Sequence, residues 1–556
     1  MKIRKLKKYL KDYGFYGTAT AIHDRIFRKA PEAVSFEKWQ DWNRISSRSY
    51  MKMAREELPY EPLIAVSARA MGEDRAAFIQ SLTVQTYRKF KPLKECPDAD
   101  YILFSGPGCT LTPDMLTQCV RYLNSHQGET IDLIYFDSDV IDEAGHKGNP
   151  AFRPEFDPDL LERVNYIGNV FLVRTSIARK VGLPEAGFSR GPGRADVYHA
   201  FLKRLSDNLC VKPGAERTGP VRHIPRILYH EVWENIGKLS RDRKPKREKT
   251  EDEKISIIIP NKDHPEDLER CIRSLWEVNS YRNIEILLVE NNSSDPEIFS
   301  LYRKLEAESA GDNSGKKGAL RLLHYEGPFN YSRINNYAAG FASGKYLLFL
   351  NNDTVVLKPS SLWHMADLLE REDVGAVGAL LMYPDHTVQH GGVILGYGGI
   401  AGHAFQGEAL GNMGLGDYPE LLFENTRNVS AVTAACMMVR AEVFREAGMF
   451  DETLVVTFND VDFCLRLRER QLRILMCPDA ELIHYESITR GAENTSQKVA
   501  RFHGEIAHFM ARWQKRLEEG DPFYNENLTL TGRNFTCKDQ NREVRPPYLR
   551  YVDMDL

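Results

Sequence analysis

The 556-residue chain contains no apolar run approaching the roughly 18 to 20 residues that span a bilayer, and no amino-terminal stretch of secretory type. It is expected in the cytoplasm. Its nine cysteines include no Cys-x-x-Cys pair, which argues against a zinc site or a disulfide framework and suits a reducing compartment. Charge of one sign is also scarce: a net charge of −4 leaves no electrostatic footprint for nucleic acid. Two phosphate-binding signatures are missing. No Gly-x-Gly-x-x-Gly follows the first apolar strand of the carboxyl-terminal half, which argues against a dinucleotide dehydrogenase, and no Gly-x-x-x-x-Gly-Lys-Ser/Thr argues for a phosphate loop. Any phosphates must be held by something other than glycine backbone.

What the chain does hold is a series of apolar strands ending in oxygen ligands. KYLLFLNNDTVVL (345–357) reads as a short buried strand that empties into Asn351, Asn352 and Asp353, the way an open α/β sheet presents a divalent cation to a phosphate at its carboxyl edge. Alone, Asn-Asp is equally a turn. Upstream, EKISIIIPNKDHPEDLERCIRSLW (253–276) reads as a strand, a polar break and a helix with Leu268, Ile272 and Leu275 on one face. IEILLVENNSSD (284–295) is a second strand, ending in Glu290, Asn291 and Asn292, so two successive strands place polar groups at one sheet edge. Downstream, residues 457–487 set Asp460 and Asp462 before a helix and His484 after a further strand. Individually these are a helix cap and a strand-end histidine; together they supply a metal-binding carboxylate, a base and a third ligand.

Taken in order, IIIPNKD, VENNSSD, FNYSRINNYAAGFASGKYLLFLNNDT, GAVGALL, the 433–435 segment, FNDVDFCLRLR and His484 resemble the inverting glycosyltransferases of family two, over about 255–500, with the type-A nucleotide-diphospho-sugar fold. HGGVILGYGGIAGHAF (390–405) and DPFYNENLTL (521–530) are similar to bacterial polysaccharide and O-antigen transferases. The resemblance implies that Pro260 and Asn291, with Glu290 beside them, meet the uracil or thymine of a UDP- or dTDP-sugar. It implies that Arg333 and Asn336 approach the diphosphate, and that Asn352 and Asp353 stand at the metal-binding pair, with an amide where the family more often has aspartate. Asp460 then matches the catalytic base, His484 a residue that joins the metal, and Thr433 and Ala434 face the acceptor, a glycan that is lipid-linked in such systems. The chemistry needs these types: Mg²⁺ or Mn²⁺ neutralises the departing diphosphate, and a carboxylate takes the proton of the attacking hydroxyl, inverting the anomeric carbon. The glycine-rich stretch 391–402 is expected as a mobile flap, and VSAVTAACMMV (429–439) as a core strand.

The amino-terminal half repeats the plan. Residues 62–90 copy the strand-then-helix of 255–282, and ADYILFSGPGCTLTPDML (99–116) copies 345–362, with Gly106, Pro107, Gly108 and Cys109 where the metal carboxylate is expected. The stretch between these strands is too short for the second nucleotide strand and its helix. The fold class is thus α/β, two Rossmann-like type-A modules, the first degenerate; its Asp137, Asp139 and Asp142 read as strand-end architecture. Expected boundaries are a basic helical extension (1–60), the degenerate module (61–237), a charged linker (238–254), the catalytic module (255–499) and a helical carboxyl extension (500–556). In the first of these, Ile3, Leu6, Tyr9 and Leu10 share a helix face suited either to the inner membrane surface or to packing on the body. In the last, Phe502, Ile506, Phe509, Trp513 and Leu517 form one stripe. Rival readings are a bifunctional transferase with two working modules and a non-catalytic glycan-binding scaffold.

Overall fold

Three apolar runs of the carboxyl-terminal half, Ile255–Asn261, Ile284–Glu290 and Tyr346–Leu350, pair in parallel, with Ile258 opposite both Leu287 and Phe349. Alternation sends Ile255, Ile257 and Ile259 into the core on one face and Ile258 into the core on the other, all fully buried. In the computed structural model, which describes residues 33–67, 75–142, 144–184, 197–209, 211–214, 216–232, 253–312, 315, 317–411, 413–485, 496–541 and 543, these runs belong to a large mixed sheet. The basic segment 1–30 and most of the linker lie outside the described residues. The sheet runs Ala319–His324, Ile284–Glu290, Ile255–Asn261, Tyr346–Leu350, Cys436–Arg440, Val374–Met382, Arg473–His484 and Thr354–Val356, and Cys436–Arg440 is antiparallel to both neighbours. Asn261, Glu290 and the 351–353 turn therefore share one carboxyl edge. The helix Pro265–Glu277 opens on proline with Glu266 and Asp267 in its first turn, and buries Leu268, Ile272 and Leu275 as the spacing predicts.

The first sheet has the same plan: Phe90–Pro92, Ile64–Ser67, Tyr101–Ser105, Val170–Arg174, Leu133–Ile141, Val221–Val232, Thr110–Leu111. Parallel and antiparallel pairings fall in the same places, so the repeat read from sequence is a repeat of topology. One expectation needs correction. The second nucleotide strand is present as the three-residue Phe90–Pro92; what is lacking is the further edge strand that Ala319–His324 supplies in the other sheet. The register also aligns the two copies residue by residue. Thr354 pairs with His484 in one sheet and Thr110 with His230 in the other, which puts Cys109 at the station of Asp353.

The two modules share a core. One apolar cluster includes Phe104, Phe152 and Leu160 of the first module and Val289, Phe349 and Ile474 of the second. Polar ties cross the same boundary: Asn428 donates through Nδ2 to Asp157 at 2.6 Å and to Asp159 at 2.8 Å, and Arg371 pairs with Asp159. The helix Ser496–Glu519 buries Ile506, Phe509, Trp513 and Leu517, with Phe502 partly buried against the core, as the stripe requires. The segment after it runs back across both modules, where Asn525 Nδ2 reaches the fully buried Asp137 carboxylate at 3.0 Å. Among the described residues no helix is long and apolar enough to cross a membrane.

Candidate active site

The carboxyl edge of the second sheet opens into a cleft of about 220 Å³ whose lining includes Asn351, Asp353, Gln389, Thr433, Asp460 and His484. Asp353 sits in the turn between Tyr346–Leu350 and Thr354–Val356, and only 4% of its surface is exposed. Strand pairing of Thr354 with His484 brings the histidine beside it, Nε2 lying 3.1 Å from Asp353 Oδ1. Gln389 fixes the tautomer: its Nε2 donates to the His484 carbonyl at 3.2 Å, so its Oε1 accepts His484 Nδ1–H at 2.6 Å. That leaves a lone pair on His484 Nε2, which Asn351 Nδ2 approaches at 3.1 Å. Asp353 Oδ1 is buried and has no hydrogen-bond donor among the described residues. An acceptor oxygen and an imidazole lone pair held this close fit a cation, and a metal-bound histidine donates its other ring N–H to a fixed acceptor, a part that Gln389 Oε1 can play here. Among the described residues there is no cluster of three or more His, Cys, Asp or Glu, so a cation here takes its remaining ligands from elsewhere, as Mg²⁺ does from substrate phosphates.

The same cleft is lined by Asp460, in the first turn of Asn459–Glu469. Val461 N donates to its Oδ1 at 2.8 Å and Ala434 N to its Oδ2 at 3.1 Å, so the carboxylate is oriented by one amide of its own helix and one of the facing turn. That turn is pinned in return by Tyr331, whose hydroxyl donates to the Ala434 carbonyl at 2.8 Å. The chain enters the helix through Phe458, a non-glycine residue with φ of 63°, a conformation that surrounding contacts must hold. The terminal helix does this: Glu505 accepts Val456 N at 3.2 Å and Thr457 N at 2.8 Å. Asp462, by contrast, is buried and structural, accepting Arg466 Nε and Trp513 Nε1, each at 2.8 Å.

Asp353, His484, Asp460, Thr433 and Ala434 thus meet in one cleft. Asn352 does not join them; it is turned away, its Nδ2 donating to Asn261 Oδ1 at 2.6 Å, and Asn351 takes the place beside His484. Asn336 is committed elsewhere too. Its Nδ2 donates to the Phe450 carbonyl at 2.9 Å and its Oδ1 accepts Phe450 N at 3.1 Å, while Arg333 pairs with Glu452 at 2.8 Å on the same loop. Glu290 is engaged as well, accepting Ser293 N at 2.6 Å and the Tyr302 hydroxyl at 2.5 Å. Pro260 lies opposite Val289 in the parallel pair, next to that edge. Asn291 donates through Nδ2 to Gly327 O at 2.8 Å, but its buried Oδ1 has no donor among the described residues. An acceptor in that state fits the N3–H of a pyrimidine. Sequence reasoning missed Gln389, whose role depends on a side-chain contact 95 residues away in the chain.

Two expectations about the loops are corrected. Only Cys436–Arg440 of the 429–439 stretch is strand; the turn before it presents the Ala434 amide to Asp460. The glycine-rich segment is no free flap. Val393–Leu395 and Ala401–His403 form a hairpin, tied to the tail through Leu395 N to Asp521 Oδ2 at 2.8 Å, Tyr397 hydroxyl to Gly532 O at 2.7 Å and Gly398 N to Leu530 O at 2.8 Å.

Residues 256–448 match the family "Glycosyl transferase family 2"; Asp460 and His484 lie beyond the matched span. The O-antigen biosynthesis protein RfbC of Myxococcus xanthus is 32% identical over 92% of this chain and 40% of its own length. An uncharacterized protein, y4gI, of Sinorhizobium fredii is 32% identical over 78% of this chain and 49% of its own. The chain therefore spans less than half of either relative. An N-acetylglucosaminyl-diphospho-decaprenol L-rhamnosyltransferase of Mycobacterium tuberculosis is 27% identical over 44% of this chain and 80% of its own. Among solved structures, the mannosyltransferase PcManGT of Pyrobaculum calidifontis, in complex with GDP-Man and Mn²⁺, is 15% identical with a TM-score of 0.35, covering 48% of this chain and 69% of its own. The likeness to glycosyl transferase family 2 thus lies over residues 256–448, the part of the chain that holds Asn291 and Asp353.

Proposed function

We propose that the chain transfers a sugar, with inversion, from a UDP- or dTDP-sugar to a hydroxyl of a growing bacterial surface glycan. The observation that carries this reading is that Asp460 and the Asp353–His484 pair line one cleft. Asp353 and His484 would hold Mg²⁺ or Mn²⁺, which supplies Lewis-acid neutralisation of the diphosphate. Asp460 accepts the proton of the attacking hydroxyl, its carboxylate aimed by Val461 N and Ala434 N. The Asn291 Oδ1 acceptor receives the base of the nucleotide. A surface-glycan acceptor is supported by relatives named for O-antigen biosynthesis and for transfer to a diphospho-decaprenol-linked sugar. The first module is read as non-catalytic, because Cys109 stands at the station of Asp353 and His230 is paired with Asp139 instead.

The test is calorimetric titration of UDP and dTDP into the full chain, with Mn²⁺ and then with EDTA. One metal-dependent site is expected, weakened at least tenfold by Asp353→Ala. Two sites revive the bifunctional reading, and no binding favours the scaffold.

A further inference from the structure

The first module has a cleft of its own, of about 1350 Å³. Its walls come from the helices Phe36–Asn43 and Ser47–Met53, from the paired strand residues Asp139 and His230, and from the tail at Asn527 and Lys538. That volume exceeds the roughly 300–1,000 Å³ that suits a drug-sized ligand, so a fitting occupant is an extended molecule. A metal-bound diphosphate does not suit the residues. Cys109 stands where the other module has Asp353, and no three His, Cys, Asp or Glu side chains gather among the described residues. A strongly charged ligand suits them no better, because four Lys or Arg side chains and five carboxylates line the cleft and nearly cancel.

What the cleft does present is fixed polar groups. Asp139 is buried, accepts Gln40 Nε2 at 2.9 Å and pairs with His230 Nδ1. Lys147 Nζ lies 3.2 Å from His230 Nε2; an ammonium only donates, so Nε2 accepts and the ring proton is on Nδ1, given to Asp139. Asp114, also buried, accepts the Thr112 hydroxyl and Gln118 Nε2, each at 2.9 Å. These carboxylates are acceptors held in place. The complementary donor is Trp39, 5% exposed, whose Nε1–H has no acceptor among the described residues. Phe36 stacks on its ring at 5.8 Å and Phe152 meets it edge-on at 5.0 Å, so the indole is fixed as well. A buried donor left unpaired costs about 1–3 kcal/mol, and a ligand oxygen removes that cost. Uncharged molecules that both donate and accept at many points along an extended frame are polyhydroxylated chains. We infer that the first-module cleft binds a neutral oligosaccharide, with Trp39 Nε1–H and the carboxylates of Asp114 and Asp139 bonding its hydroxyls. That this oligosaccharide is the already built part of the acceptor glycan rests on the transfer reaction proposed above; glycan binding by the cleft does not. Holding the chain there raises the effective concentration of its growing end at the catalytic cleft.

The test uses the full chain in EDTA. Tetrasaccharides of glucose, mannose, galactose, rhamnose and N-acetylglucosamine are titrated by saturation-transfer difference NMR, with a hyaluronan tetrasaccharide as the acidic contrast. At least one neutral tetrasaccharide is expected to bind, more tightly than hyaluronan. Saturating UDP with Mn²⁺ is expected to change its Kd by less than about twofold. Trp39→Phe, which keeps an aromatic ring and removes the N–H, is expected to raise that Kd about fivefold, and Gln40→Ala, at a partly exposed position that frees the Asp139 carboxylate, by a similar factor. No binding of any neutral tetrasaccharide, tighter binding of hyaluronan, displacement by UDP with Mn²⁺, or an unchanged Kd in the folded variants overturns the inference. Nucleotide binding without tetrasaccharide binding leaves the transfer reading standing and removes this one. Tetrasaccharide binding without nucleotide binding does the reverse.

Discussion

Asp460 receives amides from its own helix and from the 433–435 turn, so its position depends on two elements far apart in sequence. Asp460→Asn is expected to keep metal-dependent UDP or dTDP affinity while losing about two to four decades of turnover. Full activity in that variant would remove it as the base. A second carboxylate makes a prediction about stability. Burial, and then the neighbouring Asp159, push Asp157 up from 3.8 to about 6. A carboxyl whose pKa is raised by folding contributes most in its protonated form. Its contribution is complete below pH 3.8 and is lost as pH rises through about 6, so thermal stability should carry a falling component over that window. Asp157→Asn should flatten this component in melting curves taken at intervals from pH 4 to pH 7; an unchanged slope would mean that other groups set it. The residue scale is also where sequence reading was least complete. Asp353, His484 and Asp460 were legible because each ends or begins an element with a strong pattern. The bonds that tie Asn336 to the Phe450 backbone were not legible, because that loop gives no local signal.

Among elements, the tail that follows the helix Ser496–Glu519 departs most from expectation. Residues 521–534 bond the glycine-rich hairpin at Leu395, Tyr397, Gly398, His403 and Phe405, and at their other end Asn525 enters the first module at Asp137. The hairpin that carries His403 is thereby connected to a buried interior strand of the degenerate sheet. Asn525→Ala leaves the Asp137 carboxylate, 0% exposed, with fewer donors, and should cost about 1–3 kcal/mol in urea or guanidinium unfolding. A loss below about 0.5 kcal/mol would show that Arg153 N, His223 and Asn527 satisfy Asp137 without Asn525. No sequence period announces such a strap. Its hydrogen bonds join residues separated by more than a hundred positions, whereas the stripe of the preceding helix is a local repeat and was readable.

For the whole molecule, the shared core decides how the two modules behave. Phe104 and Phe152 belong to the same apolar cluster as Val289 and Phe349, and Arg371, Arg473 and Asn428 converge on Asp159 and Asp157. Calorimetry of the full chain should therefore show one cooperative unfolding transition, and a fragment of residues 253–556 should bind hydrophobic dye and aggregate. Two separate transitions, or a soluble and monomeric fragment that binds nucleotide as the full chain does, would show that the modules are independent. The polar groups across this boundary make it more than a linker-joined pair.

The sequence by itself determined the two α/β modules, the strand ends that carry Asp353 and Asp460, the closing His484 and the terminal helix. These follow from local hydrophobic period and from motif order, both of which survive without knowledge of distant contacts. Tertiary structure alone decided that Asn351 rather than Asn352 stands beside His484, that Gln389 sets the His484 tautomer, that His390 and His403 are paired behind the turn that orients Asp460, and that the glycine-rich segment is strapped. Each of these depends on which side chains meet across long separations, and a hydrogen bond between distant residues leaves no periodic trace in a single chain.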